Sequence, residues 1–368
     1  MKSRILAIIH LPPPMHGQSL INSFVAESDL LKLHFDMQVV PIRFVLKLNE
    51  IGRFAVRKIW LSIKLLAAIG YQLVRHRPNL VYMTPCVTGW AFYRELLIIG
   101  FVKLFRLKIL LHLHNRGIRE AAANPVKRML YRMFFFHTNV ICSSSRLTCD
   151  VERVYKGQPY IVPNGIKAVE NSIVTDAQDR ECDVVRFLYL SNITKGKGIV
   201  EFLDALQLLK QNEGIDFKAH IVGQPNDVSA AELTELIAAK GLDGSVIYRG
   251  GLSNEDKNLE LDWADVFVFP TKIDVFPLVL LEAMQHRLPV ISTDMLAIPD
   301  IVKDGETGLL VGLGSVPDIV EKMKRLASDP DLRRVMGQKG FEHYEAKFTV
   351  EAYERGLKKV FENVLTQA

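Results

Sequence analysis

The sequence predicts an α/β protein of two domains, and three observations predict it. Short apolar runs recur along the chain, each closed by a polar turn with Gly or Pro and followed by a helical stretch, which is the alternation of parallel strands and crossover helices. The length, 368 residues, suits roughly two hydrophobic cores. Charge divides the chain: residues 1–165 hold 23 Lys and Arg against 8 Asp and Glu, whereas residues 166–368 hold 23 against 33. A basic half points to an acidic partner such as anionic lipid, nucleic acid or a phosphorylated acceptor.

Composition excludes several classes. With 49% hydrophobic and 24% charged residues the chain is neither disordered nor a membrane bundle. Cys86, Cys142, Cys149 and Cys182 form no C-x-x-C pair and no metal-ligand spacing with His, so they fit a reducing cytoplasm better than a disulfide framework. Met1 to His10 reads as a first strand rather than a signal peptide.

Arg4 to His10 is the first strand, and it runs into Leu11-Pro12-Pro13-Pro14-Met15-His16-Gly17 before a helix from about Ser19. The turn is like the start of a dinucleotide fold, but G-x-G-x-x-G is absent, which disfavours a dehydrogenase. Gly17 allows close approach of a ligand. Residues 37–45 read as a second strand, and Gly52 to Arg77 as a long helix with scattered basics (Arg53, Arg57, Lys58, Lys64, Arg75, Arg77). Its apolar part, Leu61 to Val74, falls short of the ~18 uninterrupted apolar residues of a spanning helix. Two readings stay open: a helix lying on a membrane surface, or a core helix with a solvated basic face. Arg94 to Lys108 and Lys127 to Arg132 are further basic segments of the same half.

Asn79 to Thr84 and Lys108 to His114 are the next strands. By alternation His112 and His114 share a face, and His114 lies at the carboxyl end, where open α/β sheets bind ligands. Asn115 and Arg116 follow it. Asn139 to Ser145 is a strand and polar turn with a helix after it, and Tyr160-Ile161-Val162-Pro163-Asn164-Gly165 ends in a turn by its own chemistry. The polar stretch from Ile166 to Asp183 reads as a linker.

Val184 to Leu190 opens the second half and leads into Ser191-Asn192-Ile193-Thr194-Lys195-Gly196-Lys197-Gly198, then a helix from Ile199 to Gln211. Two lysines and two glycines ahead of a helix N-terminus suit a diphosphate, since amides, dipole and ammonium groups favour it together. The Walker spacing fails. Phe217 to Val222 with Gly223 is a strand and turn, Ser229 to Ala239 a helix, Ser245 to Tyr248 a strand and Glu255 to Trp263 a short helix. Asp265 to Pro270 is a buried strand closed by Pro. Asp274 follows in a loop, Leu278 to His286 is a buried helix carrying Glu282, and Leu288 to Thr293 is the next strand. The amides of Phe276, Leu278 and Val279 are candidate donors, because Pro277 has no N–H. Two helices close the chain, the last over Phe348 to Leu365.

Asp274 and Glu282 stand eight apart, and this stretch resembles the acid-x7-acid signature of the retaining glycosyltransferases of family 4 (glycosyl transferases group 1), which have the GT-B fold. Tyr160 to Gly165 resembles that family's close of its first domain. Ile298 to Val302 and Asp304 to Val311 resemble its closing turn and strand. Two positions depart: Asp274 stands where the family usually has Glu, and Asn192 where its G-R-x4-K-G site usually has Arg, while Lys197-Gly198 match the end of that site.

The resemblance implies two Rossmann-like domains facing each other across a cleft. Residues 1–166, joined by a crossover helix over 348–368, would bind acceptor; 167–183 would be linker; 184–347 would bind the nucleotide-sugar donor. It implies an enzyme that moves a sugar from a nucleotide diphospho-sugar, UDP- or GDP-linked, to a glycan or lipid-linked acceptor with retention, in bacterial surface polysaccharide or glycolipid synthesis. His114, Asp274 and Lys197 would be catalytic. Gly17, Asn192, Lys195, Lys197, Gly223, Phe276, Pro277, Leu278 and Glu282 would meet the donor, and His16, Asn115 and Arg116 the acceptor. No metal, no further cofactor and no nucleic acid are expected. The expected location is cytoplasmic, and the basic first domain makes the anionic inner face of the plasma membrane an expected peripheral surface. A non-catalytic GT-B-like binding subunit and a nucleotide-sugar epimerase or hydrolase are the alternatives.

Overall fold

A computed structural model of the chain describes residues 2–43, 56–169, 184–212 and 215–367. Most of the linker, Cys182 and the start of the long basic stretch, with Arg53, therefore lie outside the described residues. The chain divides into two compact units, Met1–Gly165 with Val350–Ala368, and Ile166–Thr349.

The first unit is built on a parallel sheet of β1 (Ser3–His10), β2 (Phe35–Ile42), β3 (Leu80–Met83), β4 (Lys108–Leu113), β5 (Asn139–Cys142) and β6 (Tyr160–Ile161), in the order β2-β1-β3-β4-β5-β6. The second has β7 (Val185–Leu190), β8 (Phe217–Val222), β9 (Val246–Gly250), β10 (Val266–Phe269), β11 (Val290–Thr293) and β12 (Gly308–Val311), in the order β12-β11-β10-β7-β8-β9. Every pairing is parallel. Helices cover both faces of such sheets, so the central strands read as unbroken apolar runs. Ile5 to Ile9 and Val266 to Phe269 are accordingly fully buried.

In each sheet the strand order reverses once, between β1 and β3 and between β7 and β10. Loops leaving neighbouring strands there turn to opposite faces and open a crevice beyond the carboxyl ends, which is where ligands bind in this architecture. That property positions both candidate sites.

The terminal helix, Val350–Thr366, packs back on the first unit. The Phe361 ring stands 5.6 Å from Phe35 and 5.2 Å from Tyr82. Ile166 is held in the second unit, its N–H donating to Phe348 O at 2.9 Å and its carbonyl accepting from Tyr344 Oη at 3.1 Å.

Three expectations need correction. The first helix starts at Gly17, because His16 caps it: the Ser19 N–H donates to His16 Nδ1 at 3.3 Å and the His16 N–H to Ser19 Oγ at 2.9 Å. After β5 the chain makes a 3-10 turn over Ser145–Asp150 instead of an α-helix. Asp150 is spent as an acceptor for the amides of Gly117, Ile118 and Arg119, at 3.1, 3.2 and 2.9 Å. Three helices, not two, follow β12: Val316–Ser328, Pro330–Lys347 and Val350–Thr366. Pro330 has no N–H to continue the first of them, and Asp329 caps the second through the Leu332 amide at 2.8 Å.

Candidate functional site

In the second unit the reversal point brings together the loops that leave β7 and β10. Lys195–Lys197 forms a 3-10 turn, and the helix Ile199–Asn212 follows it. Gly198 adopts φ +83°, and a Cβ there would stand 2.2 Å from Pro270 O. Only glycine lets the two loops touch. The Lys272 N–H donates to Gly196 O at 2.9 Å, and Lys272 Nζ pairs with Glu201 Oε1 at 2.5 Å. Lys197 Nζ then lies 3.3 Å from Asp274 Oδ1. Thr271 fixes that carboxylate: its hydroxyl donates to Asp274 Oδ2 at 2.7 Å and accepts from the Asp274 N–H at 3.3 Å. Thr271 O in turn accepts from Thr293 Oγ at the end of β11, at 2.6 Å.

Asp274 and Glu282 are set by different elements. Pro277 is the N-cap of the helix Leu278–Gln285, and the Leu280 N–H makes the first return bond, to Pro277 O at 3.2 Å. The amides of Leu278 and Val279 precede that bond, as the first amides of a helix must. Phe276 is half-buried, its ring 6.2 Å from Phe348. Glu282 faces Lys257 of the helix Asn254–Trp263, with Oε1 2.8 Å from Nζ, while Oε2 is buried with no hydrogen-bond partner among the described residues.

Asn192 is exposed on the β7 loop. The Lys195 N–H donates to Asp227 Oδ1 at 3.0 Å. Gly223 is glycine for an internal reason: at φ +152° a Cβ would stand 1.8 Å from Ser191 O, so it lets the β8 turn close against the β7 turn.

The first unit gathers a different chemistry at its reversal point. The first loop is laced to β3 by Asn22 Nδ2, which donates to His10 O and Thr84 Oγ at 2.9 Å each, and by Gln18 Nε2, which donates to Thr84 O at 3.2 Å. Asn115 Nδ2 donates to Gln18 Oε1 at 3.3 Å. Arg116 is exposed, and Gly17 lies in the first turn of the helix without positive φ.

His112 and His114 share a face, ring centroids 4.2 Å apart. Both nitrogens of His114 are buried without a hydrogen-bond partner among the described residues. Burial, then the nearby charges of His10 and His16, push His114 down to about 3. Burial also holds His112 well below the ordinary range, although its Nδ1 meets Tyr82 Oη at 2.8 Å. His16 is lowered by burial and by His10. His10 goes the other way: burial opposes its charge, yet Cys86 and Glu95 raise it to about 9.

His10 Nε2, Cys86 Sγ and a Glu95 oxygen lie within 4.8 Å of one another, a donor set of the types zinc accepts. Glu95 Oε1 already takes the Arg94 guanidinium as well as facing His10 at 3.7 Å. A cation is thus already in place there, which disfavours a second one.

Sequence reasoning missed Thr271, Lys257 and Asp227 in the second unit, and His10, Gln18, Asn22, Thr84, Cys86 and Glu95 in the first. Thr271 stands three residues before Asp274, the spacing of a local hydroxyl–carboxylate turn. The others meet across loops far apart in sequence.

Residues 178–343 match the family described as Glycosyl transferases group 1. The α-D-kanosaminyltransferase of Streptomyces kanamyceticus is 27% identical over 177 residues, 48% of this chain and 45% of that protein. The capsular polysaccharide biosynthesis glycosyltransferase CapM of Staphylococcus aureus is 27% identical over 180 residues, 49% and 46% of the two chains. The chain thus spans about half the length of these curated relatives. Among solved structures, HepE of Anabaena, determined with UDP and glucose, superposes with a TM-score of 0.69 at 17% identity over 98% of this chain and 100% of that one, a likeness of GT-B fold. The likeness to the glycosyl transferases group 1 family is carried by the second unit, within which the matched residues 178–343 lie.

Proposed function

We propose that this protein transfers a sugar from a nucleoside diphosphate sugar to a glycan or lipid-linked acceptor, with retention of configuration. The observation that carries the reading is the Lys197–Asp274 pair at 3.3 Å, set where two loops meet at the reversal point of a parallel sheet. A donor diphosphate fits the amides and dipole of the helix Ile199–Asn212, with Lys195 and Lys197 beside them. Glu282 Oε2, buried and unpartnered among the described residues, is an acceptor for a ribose hydroxyl.

The bond broken joins the anomeric carbon to the donor phosphate oxygen, through an oxocarbenium-like state. The lysines stabilise the departing diphosphate, so the reading needs no metal. The leaving phosphate takes the acceptor's proton, and Asp274 orients Lys197 rather than attacking the sugar. In the first unit, His114 stays neutral at working pH and offers a ring nitrogen to a sugar hydroxyl. His16, Asn115 and Arg116 line the loops that would meet the acceptor, and Gly17 leaves room beside them. UDP and GDP are the donor nucleotides favoured, and the solution of HepE with UDP supports including UDP. Work at the cytoplasmic face of a membrane, in surface polysaccharide or glycolipid synthesis, suits a basic first unit and a lipid-linked acceptor. No described helix is long and apolar enough to cross a membrane.

The test is a thermal-shift panel of UDP, GDP, ADP and CDP on the wild type and on Glu282→Ala. One nucleotide should stabilise the wild type by mass action and the variant less. No shift with any of them would overturn the donor site and favour a non-catalytic binding role. Release of free sugar from the donor without acceptor, as the main product, would favour a hydrolase.

A further inference from the structure

Most of the first unit's exposed large hydrophobic residues lie on one face. The crossovers from β2 to β3, β3 to β4 and β4 to β5 all step the same way along the sheet. Right-handed connections therefore lay the helices Val56–Arg75, Gly89–Lys103 and Pro125–Phe135 side by side on one face. They pack edge to edge: a Cβ on Gly70 would stand 3.3 Å from the Phe101 ring, and the Phe92 ring is 4.2 Å from Tyr131 and 5.6 Å from Phe134.

Each helix has two apolar stripes, of which the sheet buries one. The first buries Leu65, Ile69 and Leu73 and exposes Trp60, Ile63, Ala67, Tyr71 and Val74. The second exposes Trp90, Tyr93, Leu97, Gly100 and Leu104, and the third Val126, Met129, Met133 and Phe136. Steps of three and four residues place each exposed set along one helix face. Trp90 and Leu104 are 72% and 76% exposed. Single exposed apolar residues are ordinary, but three neighbouring stripes make a patch of the kind that marks a docking surface.

Charge identifies the occupant. The first and third helices contain no Asp or Glu, and the single acid of the second, Glu95, is fully buried. The exposed cations Lys64, Lys127 and Arg132 stand among the stripes, with Arg106 just beyond the second helix. Lys64 Nζ lies 3.6 Å over the Trp60 ring, an apolar stem with its charge held at the aromatic level. Apolar wedges, aromatic rings and cations, with no exposed anion on the helices, match the acyl boundary, headgroup level and phosphates of an anionic bilayer.

We propose that this three-helix face lies flat on an anionic lipid bilayer, inserting its outward stripes into the interface. The inference names the partner surface of the proposed transferase, and rests on that reading only for the acceptor's being lipid-linked.

Cosedimentation of the full chain with phosphatidylcholine vesicles, with and without phosphatidylglycerol, tests it. Binding should need the anionic lipid at first contact, and should weaken with salt without vanishing, since inserted apolar surface is not screened. The double variant Trp90→Ser/Leu104→Ser should lose at least about tenfold in partition coefficient, while its nucleotide thermal shift stays that of the wild type. No binding by the wild type at low salt, or equal binding by the double variant, would overturn the proposal. So would a dimer in light scattering that ignores vesicles and dissociates in the double variant, because a second copy would then cover the face. Vesicle binding without any nucleotide shift would sink the transferase reading and leave this one standing.

Discussion

The two units end their sheets alike and equip the ends differently. The second unit closes its reversal point with ion pairs: Lys197 with Asp274, Lys272 with Glu201 and Lys257 with Glu282. The first closes its own with imidazoles: His112 is buried and His114 half-buried with both ring nitrogens covered, both are pushed down, and His10 is raised. The outer faces differ too. Of 22 large hydrophobic residues exposed among those described, 16 lie in the first unit and 6 in the second. One architecture thus supports an edge suited to a charged diphosphate and another suited to hydroxyls and an apolar surface. Helix termini and loop chemistry decide between them, not the sheet.

The comparison breaks first at Lys197. Lys197→Ala should lower the transfer rate by about 10²–10³-fold, the usual cost of removing one group that stabilises developing charge. Steady-state kinetics would read this, and intact transfer would end the diphosphate assignment. Gly198→Ala should come next. It places a Cβ against Pro270 O at positive φ, so a loss of about 2–4 kcal/mol is expected in urea unfolding. A neutral result would mean the two loops do not need glycine to meet.

A third test concerns the imidazoles. His10 binds its proton more tightly folded, at about 9 against 6.5, so its stabilisation is full below pH 6.5 and fades as pH rises to about 9. His114 binds its proton less tightly folded, at about 3 against 6.5, so its stabilisation is full above pH 6.5 and is lost as pH falls. Together they give stability a maximum near pH 6.5, with limbs of order a kcal/mol or more. His10→Gln should flatten the alkaline limb and His114→Asn the acid one in unfolding titrations. If both variants kept the wild-type profile, other groups would set it.

The smallest effect is expected at Gly17, whose backbone does not need glycine. Gly17→Ala should stay within about 0.5 kcal/mol in stability. A fall in activity on that background would mean a ligand approaches there, and unchanged activity would remove Gly17 from the site.

Much of the second unit was legible because its motifs are local. Lys195 to Gly198 and Asp274 to Glu282 are each one strand-turn-helix passage, and spacing alone places an acid in a loop and another on a helix. Gly223 follows a strand as a donor-contacting glycine would, and its φ and the Ser191 carbonyl add an internal need for glycine. The first unit was harder. His10 lies scores of residues before Cys86 and Glu95, and it meets them only because β1 and β3 are neighbours. The 3-10 turn after β5 has the sequence of a helix start, and nothing in Ser145–Asp150 announces that Asp150 caps a distant turn.

The sequence by itself determined the alternation of strands and helices, the division of charge, and the lysine and carboxylate motifs, since each depends on residues close along the chain. Tertiary structure decided which motifs meet. The pairing of Lys197 with Asp274 needs β7 beside β10, and the burial that moves the histidines needs the packing of β1, β3 and β4. It also decided which of two apolar stripes on each outer helix is buried. Both stripes have the helical period, so hydrophobic pattern cannot choose between them, and only the hand of the crossover and the position of the sheet can.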